Sequence, residues 1–481
     1  MSSSAPASPP APPRPSRRWM WLAAWPVVAV LALSNEPAPL YVLWQDDIGF
    51  SSATVTAVYA FYIAGLLATL TVAGTLSDRF GRKPVLLPGL ALALLASVLF
   101  AVAHSVPALA VARLLSGVAV GAFLSAGMAA VSDLADSTQK RTAGLMASSA
   151  MVGGAAVGPL LAGLLSELAP GPSVTVFLVQ IALLALALPV VLGMPLPRRT
   201  TAPDPDPAPT TGTGTGAGAG TGTGTDGTGT GRRLLRIPSA PRAHRRQLLL
   251  GLAVFAPAIA ATGFVLSLGP TLLADLLHTS SRILSGSTIF VLFAAATGVQ
   301  FAARRLRTRT DLLSGAALTV SSMVALTLAV ATTSVTALVA SAVLAGLGQG
   351  LTQLGALTML SAHVPARRLA EANAALTAGG YILAGALPLA AGALSDATSL
   401  TTGTSVFSAT VAALSLAGAG AVRAGTAAAR PPENRRPSTF PIAPSVASPL
   451  APPTTPRAAF PIVARPDTPS AGRRAAARST E

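Results

Sequence analysis

The chain has 481 residues, 51% hydrophobic and only 10% charged, with a mean hydropathy of +0.62 and a formal net charge of +16. Soluble proteins carry about 25% charged residues, so these few ions exclude a water-facing monomer of this size, and the apolar fraction excludes a disordered chain. The absence of Cys and the isolation of His104, His244, His278 and His363 exclude a disulfide scaffold, a thiolate nucleophile and any recognisable metal site.

What remains is a polytopic membrane protein. Residues 1–18, rich in Pro, Ser and Ala, predict a disordered tail. Crossing the hydrocarbon takes roughly 20 apolar residues, and unpaired backbone groups are not tolerated there, so the crossings must be helices or a closed barrel. Long apolar runs without alternation favour helices. Twelve are predicted: 20–44, 54–76, 84–103, 107–131, 143–168, 173–194, 248–273, 283–303, 312–332, 335–360, 370–395 and 402–422. Arg14, Arg17 and Arg18 before the first run resemble a signal-peptide start, but the run is long and no cleavage site follows, so it reads as a retained helix. The Thr/Gly/Ala tract from Thr210 to Gly231 makes residues 195–246 a flexible linker, and residues 423–481 form a basic, Pro-rich tail. The expected domains are therefore a six-helix half at 19–194 and another at 247–422.

Basic residues orient the spans. With residue 1 in the cytoplasm, 31 of the 33 Lys and Arg fall in tails and inner loops, Arg282 alone lies outside, and Arg113 lies within a run. Among short loops the ratio is eleven to one, which follows the positive-inside rule and puts both termini in the cytoplasm. The sequence pI of 11.6 is thereby assigned to topology and anionic lipid headgroups rather than to nucleic acid.

An offset of 229 residues aligns long stretches of the chain across the linker without gaps. It pairs Gly117 with Gly346, Gly121 with Gly350, Pro159 with Pro388 and Gly163 with Gly392, and it takes Leu165-Ser166-Glu167 to Leu394-Ser395-Asp396 and Ser51-Ser52 to Ser280-Ser281. Parallel halves of this kind are a transporter architecture, with substrate held near the midplane between them.

The segment Gly74-Thr75-Leu76-Ser77-Asp78-Arg79-Phe80-Gly81-Arg82-Lys83, between the second and third runs, satisfies G-x-L-x-D-R-x-G-R-K at every specified position. It resembles the loop 2–3 signature of the major facilitator superfamily. Arg113 with Gly117 and Gly121 resembles the fourth-helix motif of that superfamily's drug:proton antiporter branch. Gly154, Gly158-Pro159 and Gly163 resemble its fifth-helix antiporter motif, with Ala162 standing where a second glycine is often found. The resemblance covers about residues 19–422. It implies an all-α membrane fold of twelve transmembrane helices in two pseudo-symmetric halves, alternating access driven by protons, a small-molecule solute, no cofactor and a monomer. It also implies that Asp78 meets the start of the eleventh helix, near Leu369 to Ala372, and holds the outward-facing state, with Arg79, Arg82 and Lys83 adding salt links and Gly74 and Gly81 shaping the gate. The second half lacks this motif: Arg307 and Thr310 stand where Asp78 and Gly81 would repeat.

Glu36 is the one acid well inside a run. An ionised side chain at a helix centre costs about 2.5–3.5 kcal/mol, so it calls for a partner, a cavity or a proton. The flanking Asn35, Pro37 and Pro39 predict a broken helix whose freed backbone lines a cavity. The matching stretch Gly263 to Pro270 is expected to break too, but has Val265 in place of Glu36, just as Ala342 replaces Arg113. Glu36 and Arg113 lie at depths within about 3 Å of each other, from a rise of 1.5 Å per residue, which allows them to pair or to compete for one proton. Asn35, Tyr59, Tyr62, Gln180, Gln300, Gln349 and Gln353 are candidate cavity linings. So few polar groups favour amphipathic or apolar solutes. The sequence therefore reads as a proton-coupled exporter of drug-like solutes in a bacterial cytoplasmic membrane. Its alternatives are a facilitator or symporter importing a nutrient, and a membrane sensor with a transporter body. No nucleophile–base pair suggests an enzyme, and the Gly-rich phosphate-binding Lys motif of a primary pump is missing.

Overall fold

A computed structural model of the chain describes residues 17–135, 139–196, 245–275, 278, 281–303 and 306–427. The expected tails and the greater part of the linker, at 1–16, 428–481 and 197–244, lie outside the described residues. Among the described residues there is no strand. Among the described residues twelve helices are long and apolar enough to cross a membrane: span 1 Arg18–Ile48, span 2 Ser52–Ser77, span 3 Lys83–Ala101, span 4 Val106–Asp133, span 5 Thr142–Leu168, span 6 Pro172–Gly193, span 7 Arg245–Asp275, span 8 Arg282–Ala302, span 9 Thr308–Thr332, span 10 Val335–His363, span 11 Glu371–Ala397 and span 12 Leu400–Ala424. Each coincides with one predicted run. The last helix continues to Ala427, into the stretch assigned above to the tail.

Span 1 breaks where the prolines require it. Its first helix ends at Asn35, a single tight turn covers Ala38–Leu40, and a second helix runs from Tyr41 to Ile48. Pro37 and Pro39 together remove two donors within three residues, which one helical turn cannot absorb. Span 7 corrects the expectation of a matching break: Arg245–Asp275 is one continuous helix through Pro257 and Pro270. Each of those prolines is isolated and costs a single backbone bond, a loss that neighbouring helices in a bundle accommodate.

Spans 2 and 4 pack along their length, as do spans 8 and 10. Small residues permit this close approach. A Cβ at Gly117 would collide with the Tyr62 carbonyl, and one at Gly346 with the Leu292 carbonyl. Gly121 and Gly350 repeat the arrangement a turn further on, against Leu66 and Ala296. In spans 2 and 8 the equivalent residues are 230 apart rather than 229: the N-caps are Ser51 and Ser281, not Ser52 and Ser281. One residue has been added before span 8, and the ungapped alignment missed it.

Two seams join the first six spans to the second six, span 5 against span 8 and span 2 against span 11. Both are tight towards the end of the bundle opposite the Gly81 turn. There Gly163 meets the Arg282 backbone, Gly286 meets that of Pro159, and Gly392 meets Ser52, Ala53 and Thr56. Nearer mid-span, Gly385 faces Ile63.

Overpacking a filled interface costs about 1–3 kcal/mol. Gly117→Val and Gly346→Val are therefore expected to lower the melting temperature of detergent-extracted protein. Gly144→Ala, in a helix where an added Cβ meets nothing within 4 Å, is expected to leave it unchanged or slightly raised.

Candidate functional site

The break in span 1 creates the centre of the site. Within an unbroken helix the Ser34 carbonyl would be used four residues on. Here it accepts a hydrogen bond from Nη1 of Arg113 at 2.7 Å, while Nε donates to the Tyr41 hydroxyl at 2.6 Å. The guanidinium also lies over three aromatic rings, 5.2 Å from the centre of Tyr41, 5.7 Å from Tyr62 and 5.9 Å from Phe100. Arg113 is 1% exposed, and each of these contacts offsets part of its desolvation. Below it, Trp44 stacks on Phe100 and Phe177. Tyr41 and Phe100 carry no signal in the sequence beyond being aromatic, yet both help to hold Arg113.

Glu36 is 0% exposed, and neither carboxyl oxygen has a hydrogen-bond partner. It does not pair with Arg113, although the two lie at similar depth. Depth fixes height in the membrane but not direction around the bundle. The break delivers the Ser34 carbonyl and Tyr41 to the guanidinium instead. Asn35, the neighbour, points into span 5 and donates to the Ala155 carbonyl at 3.3 Å.

The other cavity candidates separate. Tyr59 and Tyr62 are buried with ring centres 6.1 Å apart, and Tyr381 of span 11 packs against the same core. The oxygen of Gln349 accepts from Thr262 at 2.8 Å, tying span 10 to span 7 at mid-depth. Gln180 is a packing residue: it is fully buried and donates to the Ala29 carbonyl at 2.8 Å, joining span 6 to span 1. Gln300 lies at the far end of span 8, two residues before Ala302. Gln353, one turn beyond Gln349, is half-buried. Gln45, not singled out from sequence, accepts from Thr271 across the two halves at 2.9 Å. An apolar groove of about 430 Å³ opens between spans 7, 11 and 12, lined by Leu249, Leu252, Pro257, Leu383 and Leu414 among others. None of the candidate polar residues lines it.

At the loop after span 2, Gly81 adopts φ +93° and ends the helix, its N–H bonding to the Ser77 carbonyl. Few side chains tolerate that conformation, which accounts for glycine at this motif position. Arg82 donates from Nε to Asp133 at 2.9 Å and from Nη1 to Ser77 at 2.8 Å, and Lys83 donates to the Leu192 carbonyl at 2.6 Å. These contacts stay within the first six spans. Arg79 is exposed and lies beside Phe80, and a Cβ on Gly74 would meet open space. The Asp78 side chain lies outside the described residues. The helix of span 11 starts at Ala366, a turn earlier than expected.

The fifth-span motif presents two faces. Gly154 and Gly158 admit the backbone of span 1 at Val28 and Ala32, whereas Pro159 and Gly163 admit span 8 across the seam.

Tyr41→Phe would leave Nε of Arg113 without its acceptor, and hydrogen bonds to charged groups contribute about 1.5–3 kcal/mol. The variant is expected to melt at lower temperature in detergent. Tyr62→Phe, which leaves both Arg113 hydrogen bonds in place, is expected to show a smaller change in the same assay.

Comparison with known proteins agrees with this geometry. The Major Facilitator Superfamily model matches residues 20–313, more than half of the chain. Multidrug resistance protein MdtL of Klebsiella pneumoniae is 30% identical over 95 residues, which is 20% of this chain and 24% of that protein. MdtL of Escherichia coli is 33% identical over 94 residues, with the same coverage. The chain thus spans about a quarter of the length of these relatives. Among solved structures, the nucleoside transporter NupG superposes with a TM-score of 0.62 at 12% identity, covering 84% of this chain and 99% of that one. A bacterial homolog to human lysosomal transporter Spinster, inward-facing and occupied, gives 0.65 at 13% identity, covering 86% and 97%. With twelve membrane-length helices among the described residues, the loop signature in place after span 2 and a family model matched across most of the spans, this chain belongs to the major facilitator superfamily and is a multi-pass membrane protein.

Proposed function

We propose that the protein is a proton-coupled exporter of small amphipathic or drug-like solutes. It acts as a monomer by alternating access in a bacterial cytoplasmic membrane, with both termini in the cytoplasm. The observation that carries this reading is Glu36, wholly buried with both oxygens unpaired. An ionised carboxylate in that position would cost several kcal/mol, so this state of the molecule suits the protonated acid. When the halves rock and water reaches the break in span 1, the same group can release its proton. Arg113 is bound to the Ser34 carbonyl, two residues before Glu36 in the chain, and to Tyr41, and its fixed charge is assigned to steadying the carboxylate when the break opens to water. Its role is to tune Glu36 rather than to pair with it permanently.

Tyr59, Tyr62 and Tyr381 with Gln349, Thr262 and Gln353 are assigned to the solute path that opens between the halves, where aromatic faces and a few hydrogen-bonding groups suit amphipathic molecules. The short MdtL matches point the same way. At the cytoplasmic end, Asp78 is assigned to the start of span 11 when that end closes, with Arg79, Arg82 and Lys83 around it, Gly74 giving clearance and Gly81 setting the turn. Gly154, Gly158, Pro159 and Gly163 keep span 5 close to its neighbours on both faces while solute passes.

Everted membrane vesicles given ethidium as the probe test the reading. The native protein should accumulate dye under an inside-acid gradient and lose that accumulation with an uncoupler. Glu36→Gln should insert normally yet lose the uncoupler-sensitive component. Retention of that component in the variant would remove Glu36 as the coupling site. Dye movement in the native protein indifferent to the uncoupler would point to a facilitator.

A further inference from the structure

The two seams are each locked by a carboxylate from one half of the protein on the helix start of the other. Glu167, at the end of span 5, accepts from the backbone N–H of Ile283 at 2.9 Å and from the Ser281 hydroxyl at 3.1 Å, both at the start of span 8. Asp396, at the end of span 11, accepts from the N–H groups of Ser52 and Ala53 at 3.0 Å each, at the start of span 2. The pair obeys the internal symmetry, since Glu167 and Asp396 are repeat-equivalent and so are the two helix starts. Each helix already has its own serine cap, Ser51 or Ser281, which satisfies one first-turn donor. The other half's carboxylate takes further first-turn donors, where the helix dipole also favours negative charge.

We propose that Glu167 and Asp396 are a matched pair of gating clasps that hold the outer end of the transporter shut, and that both release when the molecule opens outward. They lie at the end of the bundle opposite the Asp78 loop. The outer contacts are formed in the present state. The clasps explain why acids recur at the ends of spans 5 and 11, beside Gly163 and Gly392. The glycines bring the backbones together and the carboxylates fix them there. The inference rests on the alternating access and membrane orientation proposed above together with this geometry, not on the direction or substrate of transport.

The chain has no Cys, so one introduced thiol reports cleanly. Thr56→Cys places it in the seam between spans 2 and 11, where Thr56 is buried against Gly392. The readout is its alkylation by a membrane-impermeant maleimide added from the outer side, at a rate proportional to the outward-open population. Removing one cap contact should raise that rate about fivefold, and removing both about 25-fold. Asp396→Ala is expected to do so at its own seam. The decisive variant is Glu167→Ala, on the other seam, which should accelerate labelling at Thr56 as well, because the halves open as bodies. Ser281→Ala, which takes one partner from Glu167, should give a smaller acceleration and stands in if Glu167→Ala folds poorly. Acceleration by Asp396→Ala alone would make these carboxylates local helix caps and overturn the proposal, as would unchanged rates in all variants. None of these outcomes depends on ethidium or on Glu36, so failure here is separable from failure of the export reading.

Discussion

A guanidinium in hydrocarbon must be surrounded by groups that replace water, and the centre of this protein is organised by meeting that demand. Arg113 needs acceptors at a depth where side chains are nearly all apolar. Asn35-Glu36-Pro37-Ala38-Pro39 supplies one by breaking span 1 and exposing the Ser34 carbonyl. Helix resumption at Tyr41 supplies the second. The same break leaves Glu36 inside the bundle without a partner. One local interruption thus solves the arginine's problem and creates the carboxyl's, and the proposed coupling exploits the difference between them. An unbroken span 1 would satisfy its own backbone and leave Arg113 short of acceptors.

Around this centre, stability comes from close approach of backbones rather than from expulsion of water, since lipid is as apolar as the helices themselves. Glycines of spans 4 and 10 do this within each half, and Gly163, Gly286 and Gly392 do it between halves. The first set fixes two rigid bodies. The second set lies on the surfaces that part in the proposed cycle, and there polar contacts with strong geometric preference, rather than more packing, complete the seams.

Much of this was legible in sequence. Twelve apolar runs, the basic bias of alternate loops and the loop after span 2 identify the fold, because membrane thickness and the cost of unpaired backbone leave few alternatives. Glu36, Arg113 and the prolines stood out for the same reason: polar or helix-breaking residues at depth are costly. What composition could not supply was direction around a helix axis. Depth arithmetic made Glu36 and Arg113 neighbours, yet the arginine bonds elsewhere. Gln180 looked like a cavity residue and is a strut between spans 1 and 6. Span 7 stayed whole through Pro270 because one lost donor differs from two. Glu167 and Asp396 were visible as repeat partners, but their acceptor role was not, because the N–H groups of a helix start have no identity in the sequence.

The one-residue difference between the repeats has a consequence for how such chains can change. It falls before span 8, outside the helix. Had the extra residue entered the helix itself, every position beyond it would have turned by about 100°. Gly286 would then have left Pro159, and the face that admits Gly346 and Gly350 would have looked away. A duplicated membrane protein can therefore drift freely in side-chain identity, but its insertions and deletions are confined to the turns, where slack is absorbed before the next rigid rod begins.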